Sequence, residues 1–106
     1  MTGTTTRVCS LDEIEPGAAR SFDVGRTRVC VVRIADDVYA IGDRCSHEDY
    51  SLSDGEIWED EREIECWKHG STFSLETGEP QSLPATKPVP VYTARVEDGD
   101  VVIEVS

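Results

Sequence analysis

Residues 27–42 read TRVCVVRIADDVYAIG. The first eight are rich in β-branched residues, which suit a pleated, packed surface. The polar step ADD interrupts them, and VYAIG resumes the apolar pattern, so the stretch reads as a β-hairpin. The same logic extends outward. VYTARV (91–96), the turn EDGD and VVIEV (101–105) make a second hairpin. Shorter strand candidates are RSFDV (20–24), EIW (56–58), EIEC (63–66) and TFSL (72–75), and LETGEP (75–80) reads as a tight turn around Gly78. No stretch sustains a 3.6-residue apolar period, and Leu11–Ile14 supports one helical turn at most. Short strands with frequent turns predict an all-β sandwich or small barrel. Pro80, Pro84, Pro88 and Pro90 crowd one segment; proline cannot donate to a β-ladder, so 79–90 is expected to be a stiff loop.

The chain has 106 residues, 38% of them hydrophobic, which fits one domain over 1–106 with a modest core. No apolar run approaches the ~20 residues of a membrane span. The opening MTGTTTRVCSLDE has no apolar h-region, so the expected compartment is the cytoplasm, where structural disulfides are uncommon. The four cysteines are therefore read toward metal ligation or packing rather than disulfides. Cys9 and Cys30 have no histidine nearby and are expected in the core. The net charge of −12 argues against nucleic acid and anionic membranes as partners and suits a basic protein surface. Residues 48–65 alone hold nine acids and one arginine.

Both histidines of the chain stand beside a cysteine: Cys45 and His47 in CSHEDY (45–50), Cys66 and His69 in CWKHGS (66–71). Thiolate and imidazole are the usual ligands of zinc and of some iron–sulfur centres. Twenty residues separate Cys45 from Cys66, enough for a hairpin to bring two loops onto one centre. Three readings compete. The pairs pack and cap independently; they form a structural Cys2His2 zinc site; or they hold a 2Fe–2S cluster. Zinc sites usually present like ligands in pairs, whereas the order here is Cys, His, Cys, His. Two cysteines on one iron and two histidines on the other is the Rieske ligation.

CSH (45–47) followed by CWKHGSTF (66–73) resembles the motif of the Rieske family, Cys-x-His then Cys-x-x-His. The resemblance runs through SLDEIEPG, VYAIGDRCSH, SLSDGEI, TG at 77–78 and the closing hairpin. It is strongest with small bacterial Rieske ferredoxins, such as the ferredoxin component of non-haem iron oxygenase systems. It implies an antiparallel β-sandwich base with a small cluster-binding subdomain, whose loops lie at about 43–51, 66–73 and 80–86. It further implies Cys45 and Cys66 on the inner iron, His47 and His69 on the outer one, and Ser82–Ala85 within a loop covering the cluster. Respiratory members carry a disulfide between the ligand loops. Ser46, Glu48, Asp49, Trp67 and Lys68 stand in the loops here, so that bridge cannot form. High-potential members also donate hydrogen bonds to sulfur from a serine after His-Gly and from a tyrosine two residues later. Ser71 fits the first role, but Phe73 has no hydroxyl, so a lower potential is expected. Trp67, within a ligand loop, either shields the cluster or packs in the core.

The implied function is one-electron transfer from a ferredoxin reductase to a terminal non-haem iron oxygenase, or to another redox protein with a basic docking surface, by a monomer. Two alternatives stay open: an accessory protein of iron–sulfur cluster assembly, and the small ferredoxin-like subunit of a reductase complex such as nitrite reductase. With both histidines assigned, none remains for a mononuclear iron or for activating a serine, and no G-x-G-x-x-G run marks a dinucleotide site. No catalytic residue is expected. The run 48–65 is tied at both ends to ligand pairs. Glu59, Asp60 and Glu61 are thus either a charge patch that steers a partner or a solvated hairpin tip.

Overall fold

The computed structural model describes residues 4–25, 27–44, 51–67, 70–81 and 87–105. The expected hairpin is present as β3 (Thr27–Ile34) and β4 (Asp37–Gly42), paired from Val29↔Gly42 to Ile34↔Asp37. Its tight turn places Ala35 at φ 53°, a left-handed conformation uncommon for a residue with a Cβ. The continuous apolar run of β3 has a structural cause. Side chains alternate across a strand, and both faces of this one are covered. Val29 and Val31 face one core with Cys9, Ile14, Val24, Ala40, Val101 and Ile103. Cys30, Val32 and Ile34 face a second core with Ile41, Leu52, Ile64, Cys66, Phe73, Leu75 and Val89.

Around this spine run β1 (Thr4–Ser10), β2 (Ala18–Val24), β8 (Val91–Glu97) and β9 (Asp100–Val105). Together they form one antiparallel sheet in the order β1-β9-β8-β4-β3-β2. Cys9 on β1 and Val24 on β2 lie on opposite edge strands yet share one core, so the sheet curls around it. A second sheet, β5 (Ile57–Trp58), β6 (Glu63–Glu65) and β7 (Thr72–Ser74), covers the other core in the order β5-β6-β7. The all-β base with a smaller added sheet is the expected architecture. Single 3₁₀ turns occupy Leu11–Glu13, as expected, and Leu52–Asp54, which the sequence reading did not single out. β1 was also absent from the expected strands. Cys9 and Cys30 are buried thiols, neither in a disulfide. Among the described residues no helix is long and apolar enough to cross a membrane.

The proline segment behaves as its chemistry dictates. Pro80 bridges Phe73 without donating: the flanking bonds run from the Ser74 N–H to the Glu79 carbonyl at 2.9 Å and from the Gln81 N–H to the Thr72 carbonyl at 2.7 Å. Residues 82–86, with most of the expected third loop, lie outside the described set.

Candidate metal centre

Of the four expected ligands, Cys66 lies among the described residues, while Cys45, His47 and His69 lie outside them, as do Ser46, Glu48, Asp49 and Lys68. What the fold describes is the two stems that flank residues 45–50 and 68–69. The first stem follows β4. The Leu52 N–H donates to the Asp43 carbonyl at 2.5 Å, and Arg44 bridges Ser51. Residues 45–50 therefore leave and return through one closed neck. The second stem follows β6. The Cys66 N–H donates to the Ser71 carbonyl at 2.7 Å, and the Gly70 N–H to the Cys66 carbonyl at 2.9 Å, with Gly70 at φ 76°.

The two stems abut. A Cβ built on Gly55, just beyond the first stem, would stand 1.6 Å from the carbonyl oxygen of Glu65, the residue before Cys66. Only glycine permits this approach. The Glu65 N–H completes it by donating to the Glu56 carbonyl at 2.8 Å. Leu52 from the first stem and Cys66 from the second share one core. Loops anchored side by side over a fully buried cysteine suit an inner thiolate ligand sheltered from water. Ser71 is fully buried in the second stem, as a hydroxyl donor beside such a centre requires, and Phe73 is fully buried one strand position beyond Thr72. The donor set of thiolates and imidazoles, with a buried hydroxyl at hand, fits a 2Fe–2S cluster.

A residue without a sequence signal organises the first stem. Asp43 is 1% exposed, and its carboxylate accepts three hydrogen bonds. They come from Arg28 Nε at 2.9 Å, Ser51 Oγ at 2.5 Å and the Ser53 N–H at 2.9 Å. One bond comes from β3, and the other two from Ser51 and Ser53 on the far side of residues 45–50. Burial pushes the Cys30 thiol well above its usual range, aided by the charges of Asp43 and Asp54, so both carboxylates are felt in the core that holds Cys66.

Two expectations change. Trp67 is 52% exposed, so core packing is not its role. The acidic tip Glu59–Glu61 sits at the opposite end of β6 from Cys66 and is held against the base. Arg62 Nη1 reaches the Tyr39 hydroxyl at 2.6 Å and Asp37 at 3.5 Å, and a Cβ on Gly17 would meet the Glu59 carboxylate at 3.2 Å. Of the two readings of the tip, this placement favours the solvated hairpin tip over partner steering. Glu65, by contrast, brings a carboxylate to the second loop, with Oε2 3.9 Å from a Cβ built on Gly70.

Comparison with known proteins agrees with this geometry. The family model described as Rieske [2Fe-2S] domain matches residues 4–93. The 3-phenylpropionate/cinnamic acid dioxygenase ferredoxin subunit of Escherichia coli strain K12 is 36% identical over 96 residues, covering 91% of this chain and 89% of its own. The solved ferredoxin of carbazole 1,9a-dioxygenase from Nocardioides aromaticivorans IC177 superposes with a TM-score of 0.94 at 38% identity, over 97% of this chain and 99% of that one. A similar chain, at TM-score 0.85 and 37% identity over 94% and 92% of the two, was solved in a complex of reduced oxygenase and oxidized ferredoxin in carbazole 1,9a-dioxygenase. With two adjoining loop stems over a buried cysteine and a match along nearly its whole length, the chain belongs to the Rieske [2Fe-2S] family and carries one 2Fe–2S cluster.

Proposed function

We propose that this protein is the ferredoxin of a Rieske oxygenase system, taking single electrons from a ferredoxin reductase and delivering them to a terminal non-haem iron oxygenase. The observation that carries the reading is the near full-length match to dioxygenase ferredoxins, one of them solved in complex with its oxygenase. It favours electron carriage over the two alternatives, cluster assembly and nitrite reduction. Cys45 and Cys66 hold the inner iron and His47 and His69 the outer one. When bound, the cluster supplies a one-electron redox couple.

The chain's own residues set the conditions for that couple. Cys66, closed into the second stem and fully buried, keeps water from its thiolate. The Ser71 hydroxyl is buried where a donor to sulfur is needed. The outer imidazoles give an electron its short path to a docked partner. The protein acts as a monomer in the cytoplasm, and its strongly acidic surface suits a basic partner.

Two measurements test this. Iron and acid-labile sulfide should appear in equal amounts, and the dithionite-reduced protein should give a Rieske-type electron paramagnetic resonance spectrum. A colourless protein holding only zinc would reject the cluster. Reconstitution with a reductase and an oxygenase from the same gene neighbourhood should restore product formation. Product formed equally well without this protein would reject the carrier role.

A further inference from the structure

We infer that Asp43 and Arg28 form a charge pair that clamps the first ligand loop and biases the potential of the cluster, Asp43 lowering it and Arg28 raising it. The inference rests on the Rieske reading above. Its geometry is independent of that reading.

The clamp is built from both sides of the loop. The Asp43 N–H donates to the Arg28 carbonyl at 3.2 Å, and the Leu52 N–H donates back to the Asp43 carbonyl. The carboxylate then gathers Arg28 from β3 with Ser51 and Ser53 from beyond residue 50. A buried carboxylate is costly unless paired and hydrogen-bonded, and here every oxygen is engaged. Only one residue, Arg44, separates Asp43 from Cys45, a reach of about 7 Å at most. A negative charge so placed opposes addition of an electron to the centre.

The two partners are not equally placed. The Arg28 side chain is 63% exposed while that of Asp43 is 1% exposed, so water screens the guanidinium far more than the carboxylate. Arg28 is held from its other side by Ser21 Oγ at 3.1 Å. The pair therefore leaves a residual negative field at the loop, and each partner can be altered separately.

Opposite signs are what distinguish charge from scaffolding. Asp43→Asn keeps an oxygen for the Ser53 N–H and removes the charge. Arg28→Gln removes the compensating charge, and Arg28→Lys keeps it. Protein-film voltammetry on the cluster-loaded variants should show Asp43→Asn higher than the parent and Arg28→Gln lower, with Arg28→Lys close to the parent. A change of roughly three- to tenfold in the reduction equilibrium is expected for Asp43→Asn, and a smaller one for Arg28→Gln. For a one-electron couple the larger change is about 30 to 60 mV. If Asp43→Asn does not load its cluster, the two Arg28 variants decide. An Arg28→Gln potential equal to or above the parent overturns the inference, as does an unchanged or lowered Asp43→Asn. A parent protein without a Rieske spectrum would instead reject the functional reading, so the two failures are distinct.

Discussion

At the scale of single residues, the cluster's potential is set by which groups reach its sulfur atoms and which charges lie near. Ser71 offers a buried hydroxyl, and Phe73, equally buried, offers none. The potential is therefore expected toward the low end of the Rieske range, which begins at about −150 mV. Voltammetry near neutral pH checks this, and a value of about +250 mV, near the top of that range, contradicts it. Ser71→Ala should lower the potential and Phe73→Tyr raise it. The tyrosine should also cost some stability if its hydroxyl finds no partner in the core. The two Cys–His pairs and the positions 71 and 73 were legible in the sequence because the spacings are rare and count outward to those neighbours. Asp43 was not. It is one of 22 acids, and nothing local separates a buried clamp from a solvated carboxylate until Ser51 and Ser53 fold back onto it.

At the scale of elements, the β5–β6 hairpin decides where the acidic charge goes. Its tip begins at Glu59, and the strand β6 then runs back from Glu63 to Cys66. At about 3.3 Å per residue, the tip end of that strand lies roughly 10 Å from Cys66. Screening acts over about 8 Å at physiological ionic strength. Replacing Glu59, Asp60 and Glu61 with Gln, Asn and Gln should therefore leave the rate of electron transfer to the oxygenase within about twofold of the parent. Stopped-flow rates across a salt series check this. A deficit at low salt that vanishes at high salt would restore the steering role. Chain direction was what the sequence withheld: net charge counts residues but does not orient them. Elements with strong local signals were legible, notably the β3–β4 and β8–β9 hairpins with their polar turns. β1 escaped because TTTRVCS carries no alternation to mark a buried face, and its burial comes from pairing with β9 across most of the chain.

At the scale of the whole molecule, two cores share β3 and β4 but rest on different foundations. The core of Val29, Val31, Val101 and Ile103 is closed by the large sheet with Ile14 from the connection after the first 3₁₀ turn. The core of Cys30, Leu52, Ile64 and Phe73 includes Cys66 and is roofed by three short strands of two or three residues each. Removing the cluster should loosen the second and spare the first. Hydrogen exchange of the apoprotein is expected to speed the Ile64 and Phe73 amides roughly thirtyfold, a local loss of about 2 kcal/mol, while Val31 and Ile103 keep their protection. Uniform loss across both sheets would mean that the molecule folds as one cooperative unit around its metal. Covering β3 on both faces also has a cost before folding is complete. On the nascent chain VCVV (29–32) is a β-rich, uncharged run of the kind found in segments that stack into steric zippers. Arg28 and Arg33 bracket it. In the folded protein Arg33 reaches the carbonyls of Leu11, Ile14 and Ala35. Earlier in the life of the chain, the same two arginines put a charge at each end of the apolar run, the placement that disfavours stacking of exposed β-segments.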